Sequence, residues 1–208
     1  MEKDAIRAAY RAHLLRHNAP PASIFQLTQE LGIAESEFYQ HYATFGAIDR
    51  DIFRSFIDDA RTRAEATPEY AAYSVREKLL AFYYTLVEQL KNERSYINLI
   101  TQREPFHNRL TPVYLQDAKA RFEDYAEELL IEGRSTKEVV RRAFLSDRYP
   151  AGFWLQLLFL LRFWLRDSSP NFERTDEAIE KAVTLSFDLI GRNSLDSAVE
   201  FGRFLFRS

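Results

Sequence analysis

At 208 residues with 46% hydrophobic content, the chain is long enough to bury a substantial core, as one large or two small domains. Its 28 basic and 31 acidic side chains give a formal charge of −3, which argues against a polybasic membrane anchor or a nucleic-acid coat that works by bulk charge. With no cysteine, a disulfide framework, a thiolate nucleophile and a cysteine-ligated zinc site are excluded.

The polar start, Met1 to Asp4, leads straight into a helical pattern without the apolar stretch of a secretory signal, so a cytoplasmic location is expected. Ile6, Ala9, Tyr10, His13, Leu14 and His17 then fall on one stripe of a first helix, which Asn18 to Pro21 ends. In 21–48 the spacing of Ile24, Leu27 and Leu31, then Gly32-Ile33, then Phe38, Tyr39 and Tyr42 predicts a helix-turn-helix. That segment carries Glu30, Glu35 and Glu37 but no lysine or arginine, although duplex binding draws most of its affinity from basic side chains on phosphates. Residues 1–60 hold six basic and nine acidic side chains, so the helix-turn-helix region is the acidic part of the molecule.

A longer helix is expected over about 45–66, closed by Thr67-Pro68. Ser74 and Glu77 are spaced as a capping box at the head of a helix whose stripe is Val75, Leu79, Phe82, Tyr83, Leu86 and Leu90. Further helices are expected over 95–102, about 110–132, 135–145 (with Ser135 and Glu138 as a second capping box), 152–166, about 172–191 and 194–206. Breaks fall at Gly133, Tyr149-Pro150, Ser168 to Pro170, and Gly191 to Asn193. The most apolar run, 153–165, is shorter than the roughly 20 residues of a bilayer-spanning helix and contains Gln156 and Arg162, so no integral membrane segment is expected. The final pattern, with Leu195, Val199, Phe201, Phe204, Leu205 and Phe206 beside Arg203 and Arg207, is amphipathic and fits docking on its own domain or contact with lipid.

Three short helices, a long connecting helix and a larger helical region resemble the plan of the TetR-family bacterial regulators. The stretch from Leu27 to Tyr42, with the Gly32-Ile33 turn and Phe38-Tyr39 before a closing aromatic, is similar to that family's signature. The resemblance implies an all-α, TetR-like homodimer with a three-helix helix-turn-helix domain over 1–50. A larger ligand-binding and dimerisation domain would occupy 51–208. The first would read operator DNA through Glu35, Ser36, Glu37, Tyr39, Gln40 and His41, and the second would hold a small, apolar ligand. The departures lie on DNA-facing positions: Ala34 stands where Ser or Thr commonly caps the reading helix, Phe45 where a lysine commonly opens the fourth helix, and Ala22 where a threonine is usual. Arg7, Arg11, Arg50 and Arg54 are the nearby side chains that would have to make up the phosphate contacts.

The stretch from Asp167 to Thr175, followed by Ala178 to Val183, is similar to part of the TetR-fold lipid-binding accessory proteins of ubiquinone biosynthesis. It implies the alternative function, a lipid- or quinone-binding accessory protein without DNA affinity. Thirty aromatic residues point to a pocket or to a dense core. Phe82, Tyr83, Phe106, Tyr114, Phe122, Tyr125, Phe153 and Trp154 are the candidate ligand-lining side chains, with ordinary packing as the competing reading. Because 153–165 is apolar nearly all round, Leu157, Leu161 and Trp164 with Ile179, Val183, Phe187 and Ile190 form either a dimer interface or a buried helix pair. No histidine spacing, glycine loop or nucleophile elbow suggests catalysis, a metal or a cofactor.

Overall fold

The computed structural model describes residues 3–105, 111–140 and 146–191. Among these residues all regular structure is helical: α1 (Lys3–His17), α2 (Ile24–Leu31), α3 (Glu35–His41), α4 (Phe45–Glu65), α5 (Val75–Lys91), α6 (Arg94–Arg103), α7 (Gln116–Thr136), α8 (Tyr149–Arg166) and α9 (Glu173–Ile190). The expected all-α class and most of the expected helices are present. Phe106, His107 and the helix expected over 194–206 lie outside the described residues.

Local signals explain most boundaries. Asn18, at φ 54°, ends α1 in the left-handed region that asparagine tolerates. Ser74 and Glu77 form the expected reciprocal cap on α5: the Ser74 amide donates to Glu77 Oε2 at 2.8 Å and the Glu77 amide to Ser74 Oγ at 3.3 Å. The helix expected over 135–145 is not formed where it can be seen. Ser135 and Thr136 end α7, Lys137 turns left-handed at φ 68°, and 138–140 are not helical. Glu138 caps α5 instead, its Oε2 accepting the Val75 amide at 3.1 Å. Gly133, an expected break, lies inside α7; a Cβ there would stand 2.6 Å from Val139 Cγ2, so glycine allows the chain to fold back across the helix. Tyr149-Pro150 begins α8 rather than separating helices, as suits a residue with no amide hydrogen to satisfy.

Two compact units are present. The first comprises Met1–Asp59 and Glu88–Arg121, the second Ala60–Val87 and Phe122–Ser208. The core of the first contains Ile6, Tyr10, Leu14, Leu27, Phe38 and Ile48, all fully buried. Asp49 is buried among them and accepts hydrogen bonds from the Tyr10 and Tyr96 hydroxyls at 3.1 and 2.7 Å, tying α1, α4 and α6 together. Burial raises the Asp49 carboxyl above its ordinary range, against the pull of those two hydroxyls. In the second unit Phe82 meets Phe122 and Tyr125 at ring separations of 5.5 and 5.0 Å, and Phe122 meets Trp154 at 6.1 Å.

Candidate functional site

The helix-turn-helix is built from local chemistry. Ser23 Oγ accepts the Gln26 amide at 3.1 Å to start α2. Gly32, at φ 67°, ends it in the left-handed conformation glycine adopts without strain, and the Ile33 amide reaches Thr28 O at 3.0 Å. Ala34 gives α3 no side-chain cap; Glu35 and Glu37 in the first turn place negative charge at the positive end of the helix instead. Phe38 and Tyr42 point inward, while Ser36, Tyr39, Gln40 and His41 are exposed with Glu35, and Glu37 is half-buried. Ser36 and Gln40, four residues apart, mark the middle of the outward face.

The departures from the family pattern have structural uses. Phe45 stacks on Tyr10 at 5.3 Å and meets the edge of Phe38 at 6.2 Å, so it packs the head where a lysine would reach outward. Glu30 accepts from His13 Nδ1 at 3.1 Å and from Gln26 Nε2 at 3.2 Å, which joins α2 to α1. His13 is buried and His17 exposed, so the core stripe of α1 stops one turn before the sequence pattern does. The arginines offered as substitute phosphate contacts are paired with carboxylates: Arg11 with Glu93, Arg50 with Asp117, and Arg7 and Arg54 with Asp51.

Of the eight candidate ligand residues Phe106 lies outside the described residues, and the other seven are divided between the two units. Tyr114 belongs to the first unit, where its ring lies 4.8 Å from Phe53. Phe82, Tyr83, Phe122, Tyr125, Phe153 and Trp154 are all in the second unit and at most 5% exposed. They pack mainly on one another, and their polar ends are used: the Tyr83 hydroxyl donates to Gln156 Oε1 at 2.9 Å, and Tyr125 shares a hydrogen bond with Tyr70 at 2.9 Å. Burial drives the Tyr83 hydroxyl well above its ordinary pKa, which keeps it a neutral donor.

For the α8 and α9 residues expected in either a dimer interface or a buried helix pair, the packing favours the buried pair. Leu157, Trp164, Ile179, Val183 and Ile190 are buried within the chain, and Leu161 and Phe187 are only half-buried. The outward side of the pair carries Leu155, Phe159, Leu185 and Leu189, which are 52, 52, 60 and 44% exposed. Between the two helices runs an open groove of about 800 Å³, lined by Phe159, Phe163, Ala178, Ala182, Leu185 and Leu189 together with the polar Gln156 and Ser186 and the charged Arg174, Glu177 and Lys181. The signal was in the sequence: Ala178, Ala182, Leu185 and Leu189 form a second stripe on α9 beside the buried one.

The stretch from Asp167 to Thr175 forms the corner between α8 and α9. Asp167 Oδ1 accepts the Ser169 amide and hydroxyl at 2.8 and 2.7 Å, and Oδ2 accepts the Thr175 amide and hydroxyl at 2.9 and 2.7 Å. Burial opposes ionisation of this carboxylate, but the four donors outweigh it and bring its pKa down to about 2. Asn171 and Phe172, at φ 52° and 63°, complete the turn.

Comparison with known proteins places this architecture. No curated protein matches the sequence. A candidate tetR family transcription regulator from Shewanella sp. PV-4 superposes with a TM-score of 0.63 at 11% identity, covering 93% of this chain and all of that one. A protein with unknown function from Rhodococcus sp. RHA1 superposes with a TM-score of 0.58 at 15% identity, over 91% of this chain and 95% of its own. At such identities the likeness is one of fold. The sequence model of the tetracyclin repressor-like C-terminal domain matches residues 78–205, well over half of the chain. The chain belongs to the tetracyclin repressor-like, or TetR, family.

Proposed function

We propose that the protein is a cytoplasmic, homodimeric transcription regulator that reads duplex DNA with α3. The observation that carries this reading is the outward face of α3, where Ser36, Tyr39, Gln40 and His41 stand exposed at the end of a well-formed helix-turn-helix in a TetR-family chain. Glu35 and Glu37 would accept hydrogen bonds from cytosine N4, and Gln40 would pair with adenine. Residues 1–50 serve as the reading domain and 51–208 as the dimerisation and effector domain.

The second copy docks on the outward face of α8 and α9. Phe159, Leu185 and Leu189 supply apolar area, and Ala178 and Ala182 let a facing helix approach closely. The effector this reading implies is an apolar small molecule or lipid that parts the rings of Phe82, Tyr83, Phe122, Phe153 and Trp154. Among the described residues no helix is long and apolar enough to cross a membrane.

The test is protection of its own upstream region from nuclease at low salt, for the natural protein and for Tyr39→Ala with Gln40→Ala. Protection that the double substitution abolishes supports base reading by α3. No protection at any salt concentration would favour the alternative, an accessory protein that binds a lipid or quinone and keeps the fold without DNA affinity.

A further inference from the structure

The basic side chains of the head are arranged around one carboxylate. Asp51 Oδ1 accepts Lys3 Nζ at 2.9 Å and Arg54 Nη2 at 2.6 Å, and its Oδ2 accepts the Tyr42 hydroxyl at 2.6 Å and Arg7 Nη1 at 3.4 Å. The Asp51 side chain is 9% exposed, whereas those of Lys3 and Arg54 are 42 and 40% exposed, so the anion lies beneath its cations. Tyr42 is the residue that closes α3, and the Lys3 ammonium stands 5.2 Å from its ring centroid. The cluster therefore adjoins the C-terminal end of the reading helix. Arg7 is shared with Asp4, so three cations and two carboxylates leave a single net positive charge.

Two guanidinium groups, an ammonium and a tyrosine hydroxyl converging on two anionic oxygens is the donor set that proteins direct at a backbone phosphate. We infer that Asp51 is a built-in surrogate for a DNA phosphate, which occupies Lys3, Arg7, Arg54 and Tyr42 and sets the polyanion affinity of the head low. An incoming phosphate has to displace short, charge-assisted bonds already made to a partly desolvated carboxylate. Because the cations are neutralised from within, few counterions are left to release on binding. The opposite role, in which Asp51 gathers the cations into a phosphate clamp, predicts the opposite sign for its removal. The inference deepens the reading of α3 as a DNA-facing helix and rests on it.

The substitution Asp51→Asn keeps the shape and one acceptor for the Tyr42 hydroxyl while removing the charge. Binding is read by fluorescence anisotropy on a duplex of arbitrary sequence, between about 50 and 200 mM salt. The expected result is affinity at least about tenfold tighter than the natural protein's at the low end, with a salt slope steeper by about two, since Arg7 stays paired with Asp4. Affinity that is unchanged or weaker overturns the inference. Lys3→Gln with Arg54→Gln covers the case of a variant that does not fold. On the natural Asp51 background it should change the slope by less than about one, and a fall of about two would show that these cations already hold phosphate and contradict the surrogate role. Failure of the DNA-reading function itself is separable. If Asp51→Asn binds arbitrary duplex tightly while neither form prefers the upstream region, the surrogate stands and operator reading falls.

Discussion

The head and the α8–α9 pair satisfy their side chains in opposite ways. In the head, charge is balanced internally: Asp51 holds three cations, Glu30 joins α2 to α1, and Arg11 and Arg50 have carboxylate partners. In the α8–α9 pair a buried carboxylate, Asp167, is satisfied at the corner, and Leu155, Phe159, Leu185 and Leu189 face water beside exposed charges such as Glu177 and Lys181. Contiguous apolar surface of this kind is stabilised by covering it, at about 25 cal/mol per Å² buried. Internally paired surface charge gains little from a new partner. The two regions therefore differ in what they demand of the solution. On the proposed reading the pair should call for a second copy over its apolar face, while the head should engage a polyanion weakly and with a shallow salt dependence.

The sharpest way to break this contrast is to exchange inner and outer positions on α8. Trp164→Ala, at a fully buried site, should remove about 3–5 kcal/mol of stability in chemical denaturation, because the cavity cannot collapse between two packed helices. Phe159→Asp, on the outward face, should leave the unfolding midpoint of the monomer almost unchanged. It should raise the dimer dissociation constant by a hundredfold or more in sedimentation velocity, an effect of at least about 2.8 kcal/mol. A Phe159→Asp protein that unfolds, or one that stays dimeric, removes the distinction between the two faces.

Acid separates the carboxylates that are held by several donors from the one whose burial dominates. The Asp167 and Asp51 carboxyls both titrate near about 2 in the folded chain, below their ordinary 3.8. At Asp51 burial raises the pKa but is outweighed by donation from Tyr42, Lys3 and Arg54. A group depressed on folding lends stability above its unfolded pKa and loses it as pH falls through the folded one. The stability from these two groups is therefore complete above about pH 4 and disappears toward about pH 2. Asp49 has the opposite sign, since burial raises its pKa and acid favours its neutral form. Amide exchange should accordingly rise at Ser169 and Thr175 through that window more than at residues around Asp49. Asp167→Asn should abolish the acid response at the corner, at a loss of about 1–2 kcal/mol for the cap.

The smallest expected effect concerns α3. Glu35→Lys with Glu37→Thr adds one cation and removes two anions on the first turn of α3, where Glu35 is exposed and Glu37 half-buried, so nonspecific duplex binding should strengthen with about one further unit of salt slope. Unchanged binding would mean that the first turn of α3 does not face the groove.

What the sequence made legible follows from interaction range. The turn at Gly32, the cap at Ser74 and the stripe of α1 depend on neighbours within a few residues, and the helix periodicity carried them directly. Glu138 misled because a capping-box spacing does not say which helix end receives the carboxylate, and here it is Val75, 63 residues away. Whether Leu157 and Trp164 face a partner or their own core is not legible, because an all-apolar helix hides its two faces from any hydropathy pattern; both are buried within the chain. Aromatic content alone does not show that Tyr114 packs on Phe53 of the first unit while Phe82 packs in the second. The Asp51 cluster was illegible for the same reason: Lys3 and Arg7 reach it across 48 and 44 residues, a separation that leaves no periodic trace.

The most direct measurement is a fluorescence-anisotropy titration of the natural protein against duplexes tiling its own upstream region at about 50 mM salt, where electrostatic binding is favoured. A regulator that reads DNA through α3 predicts saturable binding to one duplex over the others, with a shallow salt dependence because the head's cations are already engaged. A flat titration across every duplex would contradict it and leave the helix-turn-helix as architecture without operator recognition.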